Sequence, residues 1–278
     1  MILNKIYVDN IIKTALLEDM NYCDVTTDYL IPAEQEGEGK FVSKADGIVC
    51  GVEVAVRVFK ILDENISFEI LKNDGDEVKK GDEILKLKGK TAVLLKGERT
   101  ALNLIQHMSG IATASNKYAK IVEGTKASIA DTRKTLPGLR PLQKYAVMTG
   151  GAKNHRYNLS DAAMLKDNHI DAAGGITKAI TKLRSKIGHM TKIEVETRNL
   201  DELREALAAK ADIIMLDNMS PELMKQAVEI TDGRAVLEAS GGITDETHRA
   251  VAESGVDIIS VGALTHSVQA FDISMYIK

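Results

Sequence analysis

The 278-residue chain has no tryptophan, and only four phenylalanines and seven tyrosines. So few rings leave little to stack on unpaired bases, which argues against recognition of single-stranded nucleic acid. Nor is positive charge in excess. The 36 Lys and Arg stand against 40 Asp and Glu, a formal net charge of -4, whereas a nucleic-acid-binding domain is expected to be basic. Cysteine is almost missing: Cys23 and Cys50 are too few for a disulfide framework in a chain of this size, so a reducing, cytoplasmic setting is expected. No apolar run is long enough to span a membrane. The opening MILNKIYVDNIIKTALLEDM sets Lys5, Asp9 and Asn10 inside any would-be signal core, so no targeting signal is read there. It is expected to form an amphipathic helix with Ile11, Ala15 and Leu16 on one side.

With 44% hydrophobic and 27% charged residues, the composition is that of a soluble globular protein, either one large α/β unit or two domains. Its patterning changes along the chain. Up to about residue 110, helical stretches near 7–19, 52–62 and 96–120 alternate with short strands. The clearest hairpin is FEILKNDGDEVKKGDEILKLKG, with turn chemistry at Asp74-Gly75 and Gly81-Asp82. It resembles the swinging-arm domains that carry biotin or lipoate, but Lys79 and Lys80 lack the flanking Met or Ala, so a structural hairpin is expected. After residue 125 the apolar runs ASIAD, AAML, KIEVE, IIMLD, AVLEAS and DIISVG are each followed by helix-favouring sequence. Such alternation indicates a parallel sheet covered by helices. Ser220-Pro221-Glu222 supplies a helix start, and Gly255 after ETHRAVAES a helix stop. The strand ends fall at Arg133, Lys166, Glu196, Asp217, Ser240 and Gly262, the later spacings being 21, 23 and 22 residues. Polar residues at the end of nearly every strand favour a barrel over an open sheet with one switch point. Six countable strands predict a barrel short of the usual eight.

Those strand ends carry the chemistry. From Arg133 to Lys166 there are seven cations (Arg133, Lys134, Arg140, Lys144, Lys153, Arg156 and Lys166) against one acid, Asp161. In a net-acidic protein this points to a pocket for a polyanion. Lys144 and Lys153 are expected on the surface, and Arg140 could go either way. The loops EASGGIT and SVGALTHS end the last two strands, where Ser240, Gly241, Gly242 and Gly262 can admit a phosphate to backbone N–H groups. Glu196 and Asp217 suit a ribose or Mg²⁺, a cation that needs few protein ligands. None of the six histidines shows zinc spacing, and most of the ten methionines are expected to be core filler.

At these residues the chain closely resembles the quinolinate phosphoribosyltransferases, also called decarboxylating nicotinate-nucleotide pyrophosphorylases. The similar motifs are GERTALNLIQHMSGIAT (97–113), DTRKTLPGLRPLQKYAV (131–147), NHR (154–156), LKDNH (165–169), EVET (194–197), LDN (216–218), EASGGI (238–243) and SVGALTHS (260–267). Met148 and Ala152 depart from the family, which often has Arg and Gly there. The resemblance implies an α/β class chain: an N-terminal α/β sandwich over 1–110, onto which the extreme C-terminus can pack back, and a C-terminal open α/β barrel over 111–278. It implies that quinolinate and 5-phosphoribosyl 1-diphosphate give nicotinate mononucleotide, CO₂ and diphosphate in de novo NAD biosynthesis, with Mg²⁺ needed. It further implies a homodimer with shared active sites, or a hexamer built from it. By motif, Arg133, Lys134, His155, Arg156 and Lys166 surround the quinolinate carboxylates and the diphosphate. Arg99 reaches over from a neighbouring subunit, Glu196 and Asp217 contact the ribose or its metal, and Ser240, Gly241, Gly242, Gly262 and His266 form the phosphate end. Lys134, Glu196 and Asp217 are the implied catalytic residues.

Two other readings compete. A barrel aldolase or isomerase would use Lys166 as a Schiff-base nucleophile, but leaves Arg99, Arg133 and Arg156 unexplained. A non-catalytic anion-binding relative of the same fold would have no need of intact TRKT, NHR and KDNH segments.

Overall fold

A computed structural model describes residues 3–244 and 247–278. In chain order the elements begin α1 (Lys5–Asp19), α2 (Val25–Leu30), β1 (Glu36–Ser43), β2 (Gly47–Ile48), α3 (Val52–Leu62), β3 (Ser67–Ile70), β4 (Glu77–Val78), β5 (Glu83–Lys90) and α4 (Thr91–Ile121). They continue with β6 (Ser128–Ala130), α5 (Arg140–Thr149), β7 (Ala163–Leu165), α6 (Asp167–Ala173), α7 (Ile176–Arg184), β8 (Ile193–Thr197) and α8 (Leu200–Ala208). The last are β9 (Ile213–Asp217), α9 (Pro221–Thr231), β10 (Val236–Ser240), α10 (His248–Glu253), β11 (Ile258–Ser260), α11 (Ala263–His266) and β12 (Ile273–Ile277). They form two compact units. One holds the chain up to Lys117 together with Lys134–Gly151 and Ala263–Lys278; the other holds Tyr118–Arg133 and Ala152–Gly262.

In the first unit, α1 starts where the Asn4 side chain accepts the N–H groups of Ile6 and Tyr7. Its buried stripe is Val8, Ile12 and Leu16, four residues apart. Ile11 and Ala15, expected on that face, are only partly covered. An antiparallel sheet of order β12-β1-β5-β3 lies against helix α3: Phe41 of β1 meets Phe59 edge-on, with ring centroids 6.2 Å apart. A Cβ at Gly97 would sit 2.6 Å from the Phe59 ring, so the absence of a side chain there lets α4 approach α3. The hairpin read from sequence is more elaborate than a single pair. β3 does pair with β5, Phe68 opposite Leu87, but β4 leaves the ribbon and pairs with β2. Its turn residue Asp74 caps α3, accepting the N–H groups of Gly51 and Val52 at 2.8 and 2.9 Å, and accepts the Tyr145 hydroxyl at 2.9 Å. Burial, and then the Asp74 charge, push the Tyr145 hydroxyl pKa up.

Lys144, expected on the surface, is fully buried. Leu142, Gln143 and Lys144 are consecutive buried residues of α5, so the helix is covered on more than one side.

In the second unit the six apolar runs become six parallel strands in the order β6-β11-β10-β9-β8-β7. The two edges are the first two strands in sequence, and Lys153 adds a parallel bridge to Ala130 of β6. The sheet is curled. In a flat sheet Glu194 of β8 and Glu238 of β10, with β9 between them, would be roughly 10 Å apart. Here atoms of both converge with the His155 ring inside 4.8 Å. This is an open six-stranded α/β barrel with its carboxyl ends on one rim. Helix α9 starts as expected, the Ser220 hydroxyl accepting Leu223 N–H ahead of Pro221. Gly255 follows α10 at a φ of 95°; Glu246, the first residue of ETHRAVAES, lies outside the described residues. Among the described residues no helix is long and apolar enough to cross a membrane.

Candidate functional site

The barrel rim gathers the residues of the second unit that the sequence singled out. Lys166 follows β7 directly as the N-cap position of α6, Glu196 lies in β8, and Asp217 and Ser240 are the last residues of β9 and β10. Arg133 and Gly262 lie in the loops beyond β6 and β11. Parallel strands in near register put these side chains at one end, because Ser240 stands opposite Asp217 and Glu196 opposite Met215.

Charge is arranged there in two groups. Lys166, Glu196 and Asp217 interact: burial raises the Glu196 pKa, Asp217 raises it further, and Lys166 opposes both. Asp217 in turn accepts the Asn218 side-chain N–H at 2.7 Å. The second group is cationic. Arg156 is half-buried, with one guanidinium N–H on the Ala162 carbonyl at 2.8 Å. Burial, and next the like charge of Arg133, lower its pKa, while Glu194 and Asp161 favour its charged form. Two guanidiniums held close enough to disfavour one another form a site that an anion stabilises.

Below the rim, His155 meets two carboxylates, Glu194 and Glu238, that strand-end positions alone do not single out. His155 Nε2 lies 3.1 Å from Glu194 Oε2 and 3.5 Å from Glu238 Oε1, with both carboxylates buried. The backbone N–H of His155 donates to Asp131, itself fully buried, at 2.8 Å. His155 Nδ1 accepts the Arg156 backbone N–H at 2.7 Å. That bond places the ring proton on Nε2, facing the glutamates. Burial, and then the Glu194 charge, push Glu238 up to about 7. Among the described residues these three side chains form the one group with metal-ligand spacing, but with its proton on Nε2 the imidazole donates a hydrogen bond there. The signal for this layer was present in sequence. Glu194 and Glu196, like Glu238 and Ser240, stand two apart in apolar strands and so share the inner face.

The glycine loop is shaped for close approach. Gly241 and Gly242 have φ of 80° and 62°, and a Cβ on Gly241 would fall 2.4 Å from Asn218 Oδ1. Asn218 N–H also donates to the Ser240 carbonyl at 2.9 Å, so the LDN and SGG loops are fastened together.

Lys134, His266 and Arg99 belong to the first unit. Lys134 and His266 are neighbours within it, because the Thr265 hydroxyl donates to the Lys134 carbonyl at 2.8 Å. Arg99 is exposed on α4, and Met148 is exposed on α5.

The sequence model for the quinolinate phosphoribosyl transferase C-terminal domain matches residues 111–276, and that for the N-terminal domain matches residues 24–109. The chain is 45% identical over 273 residues to a probable nicotinate-nucleotide pyrophosphorylase (carboxylating) of Bacillus subtilis, covering 98% of this chain and 94% of that protein. It is 42% identical over 286 residues to a quinolinate phosphoribosyltransferase (decarboxylating) of Nicotiana tabacum, covering 96% and 81%. Among solved structures, the nicotinate-nucleotide pyrophosphorylase of Francisella tularensis superposes with a TM-score of 0.95 at 42% identity, covering 100% of this chain and 98% of that one.

Proposed function

The chain belongs to the quinolinate phosphoribosyltransferase family, and from that premise we propose that it transfers the phosphoribosyl group of 5-phosphoribosyl 1-diphosphate to quinolinate. The products are nicotinate mononucleotide, CO₂ and diphosphate, within NAD biosynthesis. The observation that carries this reading is the gathering of Lys166, Glu196, Asp217 and Ser240 at the carboxyl ends of the barrel strands, with Arg156 held on the Ala162 carbonyl in the same unit.

Both substrates are polyanions, and each close like-charge pair costs roughly 4 kcal/mol at an effective dielectric near 20. The rim cations offset that repulsion. Arg133, Arg156 and Lys166 take the quinolinate carboxylates and the diphosphate, with Lys134. In this reading His155, whose Nε2–H faces the glutamates, orients Arg156 through its backbone and lines the quinolinate pocket with the ring edge. Ser240, Gly241, Gly242, Gly262 and His266 receive the 5-phosphate, where the left-handed backbone at Gly241 and Gly242 keeps the approach clear of side chains.

The reaction breaks the C1–oxygen bond to diphosphate as the ring nitrogen of quinolinate bonds to C1. Positive charge develops on the ribose, negative charge on the leaving group. Glu196 and Asp217 face the first, and the cations face the second. Glu196 and Asp217 also fit Mg²⁺, directly or through water or substrate, since the Asp217 charge makes the Glu196 carboxylate costlier and a cation held at both would offset that; the ion would neutralise diphosphate charge. After transfer the ring nitrogen is positive. The C2 carboxylate then leaves as CO₂, its bonding electrons stay on C2 beside that charge, and C2 is protonated. The substrate supplies its own electron sink, so no separate organic cofactor is called for.

A second copy of the chain completes the site with Arg99. The exposed apolar side chains Ile6, Leu17, Tyr22, Val25, Tyr29 and Leu30 of the N-terminal helices and the loop between them supply a surface for such pairing, in a dimer or a hexamer. Cys23 and Cys50 are both free thiols, which suits the reducing cytoplasm. Diphosphate release from 5-phosphoribosyl 1-diphosphate, measured with quinolinate, nicotinate and nicotinamide in parallel, tests the reading. Quinolinate supports turnover and the two single-substituent pyridines do not, because cations left unpaired by a missing carboxylate are costly. Equal rates on nicotinate would move the chain to a different acceptor.

A further inference from the structure

One buried polar hub of the first unit has no part in the chemistry above. Gln143, on α5, is fully buried. Its Oε1 accepts the Leu136 N–H at 2.8 Å, and its Nε2 donates to the Thr265 carbonyl at 3.0 Å and faces His107 Nε2 at 2.9 Å. Burial lowers the His107 pKa, so the imidazole is neutral and can accept at Nε2. One amide is thus directed at three separate segments: α4, the loop 134–139, and α11.

Those segments carry Lys134 and His266. The Thr265 hydroxyl donates to the Lys134 carbonyl at 2.8 Å, and His266 is the next residue along the chain. Arg140 Nε donates to the Thr135 hydroxyl at 2.9 Å, and Leu139 N–H to the Leu136 carbonyl at 3.1 Å. The loop is held through the Lys134 and Leu136 backbone and the Thr135 hydroxyl while the Lys134 and His266 side chains stay exposed. Such an arrangement fixes where two flexible cationic or polar groups are presented without touching the groups themselves.

We infer that Gln143 is a positioning residue for the phosphoribosyl donor: it acts through Thr265 and the 134–139 loop to set Lys134 and His266. This rests on the reading above, with Lys134 serving the diphosphate of the two anions placed beside it and His266 the 5-phosphate. A helix-packing role alone would make no distinction between the two substrates; a positioning role does.

The experiment is steady-state kinetics on the full chain, varying each substrate separately. Gln143→Leu keeps the volume and leaves the three partners of the amide without it. It raises KM for 5-phosphoribosyl 1-diphosphate by about tenfold, with KM for quinolinate held within about twofold. Thr265→Val, which removes the hydroxyl that bonds the Lys134 carbonyl, shifts the same KM in the same direction, and Thr265→Ser restores it. The inference fails if folded Gln143→Leu leaves the donor KM unchanged or raises both KM values alike. It also fails if Thr265→Ser behaves as Thr265→Val. Should Gln143→Leu not fold, the Thr265 pair decides alone. Absence of turnover by the unaltered chain with both substrates present is a different result, and removes the phosphoribosyl-transfer reading itself.

Discussion

Arg156→Leu raises the KM for quinolinate by about a hundredfold, the scale of truncating one member of a partly buried, hydrogen-bonded charge pair. The guanidinium is anchored to the Ala162 carbonyl and feels the like charge of Arg133. Leucine keeps much of the buried stem and removes the charge, so the pocket loses one of its cations. Binding of 5-phosphoribosyl 1-diphosphate alone, followed by calorimetry, changes little. Arg156→Lys recovers only part of the affinity, because an ammonium cannot hold the Ala162 carbonyl and a carboxylate with the same planar fork. Equal loss for both substrates would mean that Arg156 supports the rim as a whole and does not select the pyridine dicarboxylate.

Glu196→Gln lowers kcat by about a hundredfold or more while both KM values move little, as for loss of an electrostatic group facing charge that develops during the reaction. Its carboxyl is raised above the ordinary range by burial and by Asp217. The sign follows. If the carboxylate is the working form, activity is full above the raised pKa and falls as pH drops through it, at a higher pH than an exposed glutamate would give. The pH–kcat profile of the unaltered chain therefore has an acid limb, and Glu196→Gln lacks it. A variant that keeps the limb would assign it to another group, and one that keeps kcat would remove Glu196 from the reaction.

How much of this was readable in sequence depended on the range of the contacts involved. The six barrel strands were legible because a parallel strand covered on both faces is a mostly apolar run, and runs of strand length such as IIMLD and AVLEAS recur between helix-favouring stretches. The rim residues followed from them, since a polar residue ending such a run can only be at the strand terminus. The α1 face was misjudged because Ile11, Ile12, Ala15, Leu16 and Leu17 allow two phases of one helix. Packing chose the one through Val8 and Ile12. Lys144 was misplaced because lysine is rarely fully buried, and no local pattern marks a helix covered on several sides. That the extreme C-terminus packs back, as β12 on β1 does, came from the family resemblance; the return of residues 134–151 rests on long-range contacts, such as Tyr145 on Asp74 and Gln143 on His107, that spacing does not encode. The His155, Glu194 and Glu238 layer was within reach. Its acids lie two residues from rim positions already identified, and attention to strand alternation below the rim would have found them.

The account stands on one reaction, and its products can be counted. With quinolinate labelled at the 2-carboxylate and 5-phosphoribosyl 1-diphosphate both present, the chain is expected to release labelled CO₂, diphosphate and nicotinate mononucleotide in equal amounts. No CO₂ should appear when either substrate is left out. Diphosphate released without CO₂, or CO₂ lost from quinolinate in the absence of the phosphoribosyl donor, would contradict it.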